Sequence, residues 1–296
     1  MHPALSVILF STLSGLGFGA FAWLGTGRVP DVALLPTALI AFALSVGGLT
    51  ASTFHLGHPE RAWRALSQWR SSWLSREGVA AVVTLALAAM WWLFDYPQAL
   101  GVAMSVMAFL TVFTTAMIYA QMRSVRTWNT PLTPAVYLLL SLAGGGVVCL
   151  CIASFNSKIV AADAVAAGLL LLLAWGTKAI WWRRADGDIE LSTPATATGL
   201  GQEGQVRLLE SPHSGGNYLL SEMGFRIGRR HQRALRRIAL VAGAAIPMLM
   251  LVIAVEFELI ASAVLGLALL SHAVGILAER WLFFAEARHA VMNYYQ

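Results

Sequence analysis

The sequence predicts an all-α polytopic membrane protein, a bundle of about eight transmembrane helices, on three observations. Of its 296 residues, 58% are apolar and only 12% charged, against about 45–50% and 25% in soluble domains. The apolar residues gather into runs of roughly 20, the length that crosses about 30 Å of hydrocarbon. The basic residues fall between those runs. Such a chain lacks the polar residues to cover a soluble globule of its size. A disordered tail and a secreted disulfide scaffold are excluded on the same grounds.

Taken in order, the runs place spans at residues 3–24, 32–56, 77–96, 98–121, 133–155, 159–182, 238–258 and 259–285. The first reaches span length without a basic leader, so it reads as a span and not as a cleaved signal. Pro3, Pro97, Pro131 and Pro134 sit at or near span edges, where a missing N–H costs little. Pro247 lies inside the seventh run and predicts a kink. Glu256 and Glu258 close that run, so the last two spans are joined by a tight turn. Trp23, Trp73, Trp91, Trp92, Trp128, Trp181, Trp182 and Trp281 collect at span ends, as an interfacial aromatic belt would. Residues 1–296 form a single membrane domain, with residues 183–237 as a long loop inside it. The first half of that loop is rich in Gly and Thr. The second half carries Arg226, Arg229, Arg230, Arg233, Arg236 and Arg237 and reads as an interfacial helix entering the seventh span.

Charge fixes the expected orientation. With a cytoplasmic N-terminus, eighteen Lys and Arg residues fall on the cytoplasmic side and only Arg28 and Lys158 on the other. Without the long loop and its flanks the ratio is eight to two. The positive-inside rule then places both termini in the cytoplasm. Basic loops hold anionic lipid headgroups at about 1 kcal/mol per residue. A loop of this length exceeds that need and predicts docking of a cytoplasmic partner. The net charge of +5 does not point to nucleic acid, because the basic residues are spread over the loops.

Candidate chemistry is sparse. Cys149 and Cys151 lie in one apolar run and supply neither the four thiolates of an iron–sulfur cluster nor a structural zinc site. They read as small buried helix residues. His272 lies near mid-span; as a haem ligand it would need a histidine at matching depth, and none is evident. A hydrogen-bonded core histidine is the simpler reading. A transporter would carry a midplane relay of carboxylates or broken helices, and the sequence displays neither. His55, at the end of the second span, and Glu77, at the start of the third, return to the same membrane face. A quinone needs such a pair, because its ring oxygens must be hydrogen-bonded and must exchange protons. The plainer alternatives are that His55 snorkels to the interface and that Glu77, after Ser75, caps a helix start.

The stretch TASTFHLGHPERAWRALSQWRSSWLSREGV, Thr50 to Val79, resembles the second-to-third-span region of the dimethyl sulfoxide reductase anchor-subunit family. MHPALSVILFSTLSGLGFG, YAQMRSVRTWNTPLTP and AERWLFFAEARHAVMNYY resemble it as well, so the likeness touches most of the chain. The HLG-x-P-x-RA motif followed by LS-x-E is its specific part. The resemblance implies an eight-span, haem-free anchor in a bacterial inner membrane, not catalytic towards the soluble substrate by itself. Quinone would be its diffusible substrate. Molybdopterin and iron–sulfur clusters would be held by two partner subunits. The family's quinol-binding histidine and carboxylate fall on His55 and Glu77, and the motif's arginine on Arg61. Tyr119, Arg123 and the Glu279–Arg280 pair reach the same face, and Tyr119 and Arg123 complete the expected quinone site. Arg64, Arg70, Arg226, Arg229 and Arg230 are the expected docking residues. The long loop departs from the family's shorter versions. A cytoplasmic docking face suits a quinone-reducing sulfite dehydrogenase, slightly favoured over S- or N-oxide reduction.

Overall fold

The structure, a computed structural model, describes residues 4–54, 58–187, 194–202, 204–207, 209–210, 226–287 and 289. Eight helices among them are long and apolar enough to cross a membrane. They are α1 (Leu5–Leu24), α2 (Asp31–Thr53), α3 (Trp73–Leu93), α4 (Gln98–Ala120), α5 (Leu132–Ala153), α6 (Ala161–Asp186), α7 and α8 (Ala261–Ala285). The seventh is built of three continuous pieces, Arg226–Leu240, a π-helical turn Val241–Ala245, and Ile246–Glu256. A 3₁₀ turn, Glu258–Ile260, joins it to α8. Another 3₁₀ segment, Pro59–Gln68, precedes α3. Outer faces carry exposed Leu39, Val82, Leu172, Val252 and Leu267, as surfaces meeting lipid do.

The inner helices are α1 and α5, with 67% and 72% of their apolar windows buried. Between them lies a contact that only glycine permits. A Cβ on Gly19 would strike the Ser141 backbone, and one on Gly145 would strike the Gly19 backbone. Small residues let helix backbones approach where lipid supplies no hydrophobic drive. Around this pair, α2 and α4 flank α1, α3 packs on α4, α6 on α5, and α8 on α5 and α7.

Three expectations change. Helix α3 begins at Trp73 with Ser72 as its N-cap position, so Glu77 lies inside the helix and does not open it. Trp73 packs edge-on against Phe113 of α4 at 6.1 Å, which carries the helix further than the apolar run suggests. Ser75 is buried and is not the cap. The tryptophans also divide. Trp92 is exposed, but Trp23, Trp91, Trp128, Trp181 and Trp182 are buried, so most of the expected belt is core. Their N–H groups explain several of the placements: Trp23 donates to Leu142 O at 2.8 Å and Trp128 to Phe283 O at 2.9 Å. Thirdly, Lys178 and Arg280 are not loop charges. Both are buried within the bundle, and sixteen against two remain.

The seventh helix shows what an internal proline does when neighbours compensate. In an α-helix the Gly243 carbonyl would accept from the N–H of residue 247, which is proline and has none. The ladder slips by one residue, and Ile246 N–H bonds Val241 O instead. Ala242 and Gly243 are served from α8: Ser271 Oγ donates to Ala242 O at 2.8 Å and His272 Nδ1 to Gly243 O at 2.6 Å. His272 is thus a core hydrogen-bond donor, with Nε2 facing Gly144 of α5. Replacing His272 by Ala orphans a buried carbonyl and should cost about 1–3 kcal/mol. Pro247→Ala restores the missing N–H, so the double variant should melt close to Pro247→Ala alone. Additive losses in detergent melting curves would contradict this coupling.

Candidate functional site at the basic face

The face that carries the basic loops has polar and aromatic side chains set into the bundle just inside it. Glu77, one turn into α3, is 3% exposed. Its carboxylate accepts from Thr115 Oγ1 of α4 at 2.6 Å. One turn further along α4 is Tyr119, which lies within electrostatic range of Glu77. The Tyr119 ring stacks on Tyr137 of α5 at 5.9 Å and meets Trp128, Phe283 and Phe284 edge-on at 5.3–5.4 Å. This aromatic cage ties the α4–α5 connection to the end of α8.

Beneath the cage lies a fully buried ion set. Lys178 Nζ of α6 is 2.5 Å from Glu279 Oε1 of α8, and Arg280 Nη1 is 3.4 Å from Glu279 Oε2. All three are at most 1% exposed. Aromatic faces take up the remaining charge: Lys178 Nζ lies 3.8 Å from the Trp181 ring centroid, and the Arg280 guanidinium 3.5 Å from that of Tyr137. Toward the surface, Arg236 of α7 bridges Glu286 (2.9 Å) and Asp186 (2.6 Å). Burial holds the Glu286 carboxyl above the ordinary carboxylate range, with Arg236 pulling the other way.

The expected site residues separate into two groups. Glu77 and Tyr119 come together inside the bundle, with Glu279 and Arg280 on the far side of the tyrosines. Arg61 is exposed at 3.7 Å from Glu60, and Arg123 is exposed just past α4. His55 lies outside the described residues. Arg64 and Arg70 are exposed and lie over Trp63 and Trp69 at 5.5 and 5.4 Å. Arg226, Arg229 and Arg230 lie on the first piece of α7. The buried role of Lys178 was missed in the sequence. It lies eight residues before the end of α6, and Glu279 six before the end of α8. Opposite charges at similar depth on two spans were the available signal.

An all-helical bundle of eight spanning helices is a polytopic membrane protein, and sequence comparison gives its kind. The chain belongs to the DMSO reductase anchor subunit (DmsC) family, whose model matches residues 1–285. It is 35% identical to a sulfite dehydrogenase subunit of Allochromatium vinosum over 100% of this chain and 99% of that one. It is 29% identical to the anaerobic dimethyl sulfoxide reductase chain YnfH of Escherichia coli, over 48% of this chain and 55% of the relative. An anaerobic dimethyl sulfoxide reductase chain of Haemophilus influenzae is 31% identical, over 36% of this chain and 40% of its own length.

The ion set makes a stability prediction. Lys178→Met leaves a buried carboxylate short of its partner and should cost about 3–5 kcal/mol. Removing the carboxylate as well, Lys178→Met with Glu279→Gln, also strips buried Arg280 of its partner, so the double variant should melt no higher than the single one. A double variant restored to the wild-type melting temperature would show that Glu279 serves Lys178 alone.

Proposed function

We propose that this chain is the quinone-reactive anchor of a molybdopterin/iron–sulfur oxidoreductase in a bacterial cytoplasmic membrane, with both termini in the cytoplasm. The observation that carries the reading is Glu77: a buried carboxyl on a spanning helix, hydrogen-bonded to Thr115, beside Tyr119, at the face where basic loops gather. Intramembrane ionisable groups are costly and mark functional sites. Quinone and quinol differ by two electrons and two protons, so a group that exchanges protons must stand near the ring oxygens. Glu77 takes that role, and His55 is assigned the hydrogen bond to a ring oxygen.

The chain adds no redox centre of its own. Electrons pass between quinone and the nearest cluster of an iron–sulfur subunit, which serves the molybdopterin catalytic subunit. Exposed Arg64 and Arg70, with Arg226, Arg229 and Arg230, give the docking face its positive charge. Sulfite is the favoured substrate of the complex. The relative named for sulfite dehydrogenase matches the full chain, whereas those named for dimethyl sulfoxide reductase match half of it or less. In that direction the anchor reduces quinone.

Replacing Glu77 by Gln or His55 by Ala should lower quinone-linked turnover roughly a hundredfold, the scale of a lost acid–base group. Activity of the catalytic subunit with an artificial dye should persist. Near-normal quinone turnover in both variants would refute the assignment, and loss of dye activity as well would indicate failed docking. For orientation, a reporter fused after Gln296 should be active only if it is a kind that works in the cytoplasm. Activity of a periplasm-dependent reporter there would reverse the topology.

A further inference from the structure

The arginines near the end of the first piece of α7, Arg226–Leu240, divide between two faces. Arg236 turns inward and is held by Glu286 at 2.9 Å and Asp186 at 2.6 Å. Ala239, three residues on, is fully buried, and a Cβ on Gly275 of α8 would stand 3.0 Å from its carbonyl oxygen. With that face fixed against α8, the face turned away from it is fixed too. Arg233 and Arg237 are exposed there, one turn apart, and among the described residues no carboxylate pairs with either. Like charges four residues apart on a helix repel, so the pair favours an anion between them.

Arg237 is also the polar end of a groove of about 430 Å³, whose remaining lining is Ala234, Ile238, Val241 and Ala242. Ile238 and Val241 are 48% and 52% exposed. The apolar run of the seventh span begins at residue 238, so the groove starts at the basic face and runs into hydrocarbon. At 1.5 Å per residue, Arg237 to Ala242 covers about 7.5 Å, the reach from a phosphate into the first methylenes of an acyl chain. A guanidinium at headgroup level with apolar side chains below it matches a phospholipid in order and in depth. Arginine meets phosphate oxygens with two parallel N–H donors. An inorganic anion would match only the arginines.

We propose that this face of α7 binds one anionic phospholipid, its phosphate held by Arg237 and Arg233 and an acyl chain laid on Ala234, Ile238, Val241 and Ala242. The general attraction of basic loops for anionic membranes is spread over many residues; here one groove and two arginines set the selectivity. Neither Glu77 nor quinone enters into it. The bound phosphate shields Arg233 from Arg237 and so steadies the helix whose Arg236 joins the end of α6 to the end of α8.

The test is native mass spectrometry of the full chain in a mild detergent, titrated with phosphatidylglycerol, phosphatidylcholine or inorganic phosphate. The wild-type chain should retain phosphatidylglycerol in preference to phosphatidylcholine, and excess inorganic phosphate should not displace it. Arg233→Gln with Arg237→Gln should weaken phosphatidylglycerol binding at least about tenfold, the scale of two basic contacts to an anionic headgroup. Ala234→Phe, which fills the groove and keeps both charges, should weaken it as well. Arg183→Gln removes an exposed charge of the same face and should leave it unchanged. Wild-type retention in the arginine double variant or in Ala234→Phe would refute the site. An equal loss from Arg183→Gln would reduce it to general charge, and displacement by inorganic phosphate to a bare anion site. Loss of the lipid when the chain is purified with bound protein subunits would give the face to a protein partner instead.

Discussion

The contact on which the basic half of this molecule depends is the buried pair between Lys178 and Glu279, with Arg280 alongside. Both side chains are fully buried, and an ion removed from solvent is costly unless paired. The requirement fixes α6 against α8 at one depth. It also explains the aromatic residues around it: Trp181 takes one face of the ammonium, and Tyr137 lies under the guanidinium. Tyr119 then stacks on Tyr137, one turn along α4 from the Thr115 that bonds Glu77. A set of charges is thereby linked to the carboxyl at which proton exchange is proposed.

The opposite kind of solution holds α7 to α8. Pro247 removes a backbone donor, the helix slips into a π turn, and two carbonyls turn toward the neighbour that can serve them. Non-ideal backbone inside a membrane is tolerated where neighbouring helices satisfy it. Gly243 and Gly275 make the approach possible, since a Cβ on Gly275 would strike the Gly243 backbone. The bundle is therefore stitched by hydrogen bonds on one side of α8 and by ion pairs near its end.

Much of this was legible in the sequence. Run length and charge spacing gave seven of the eight helices within a few residues, because hydrocarbon thickness sets span length; α7 starts at Arg226, well ahead of the apolar run at 238. Pro247 and the tight turn after Glu256 were readable from single residues. His272 was readable as a core hydrogen bonder, although its partner was not. What escaped was partnership across spans. Lys178 looked like a loop charge because it stands one and a half turns before Arg183–Arg184, and nothing local says that Glu279 meets it. The α3 start was misplaced because Trp73 and Leu74 are separated from the apolar run by Arg76 and Glu77. Arg76 turns back to bond Trp69 O and Arg70 O, and Glu77 turns inward. Tryptophans at span ends likewise gave no sign of which would face lipid and which the core.

Electrons are proposed to cross between quinone and an iron–sulfur partner at the face where Glu77 lies. Reducing the clusters of the purified complex with stoichiometric dithionite, mixing rapidly with oxidised quinone and freezing for EPR tests this most directly. In the wild-type complex the signal of the reduced clusters should disappear within a turnover as quinone takes the electrons, and with Glu77→Gln it should persist, while dithionite reduces both proteins equally. Clusters of the wild-type complex that stay reduced in the presence of quinone would show that no such path exists.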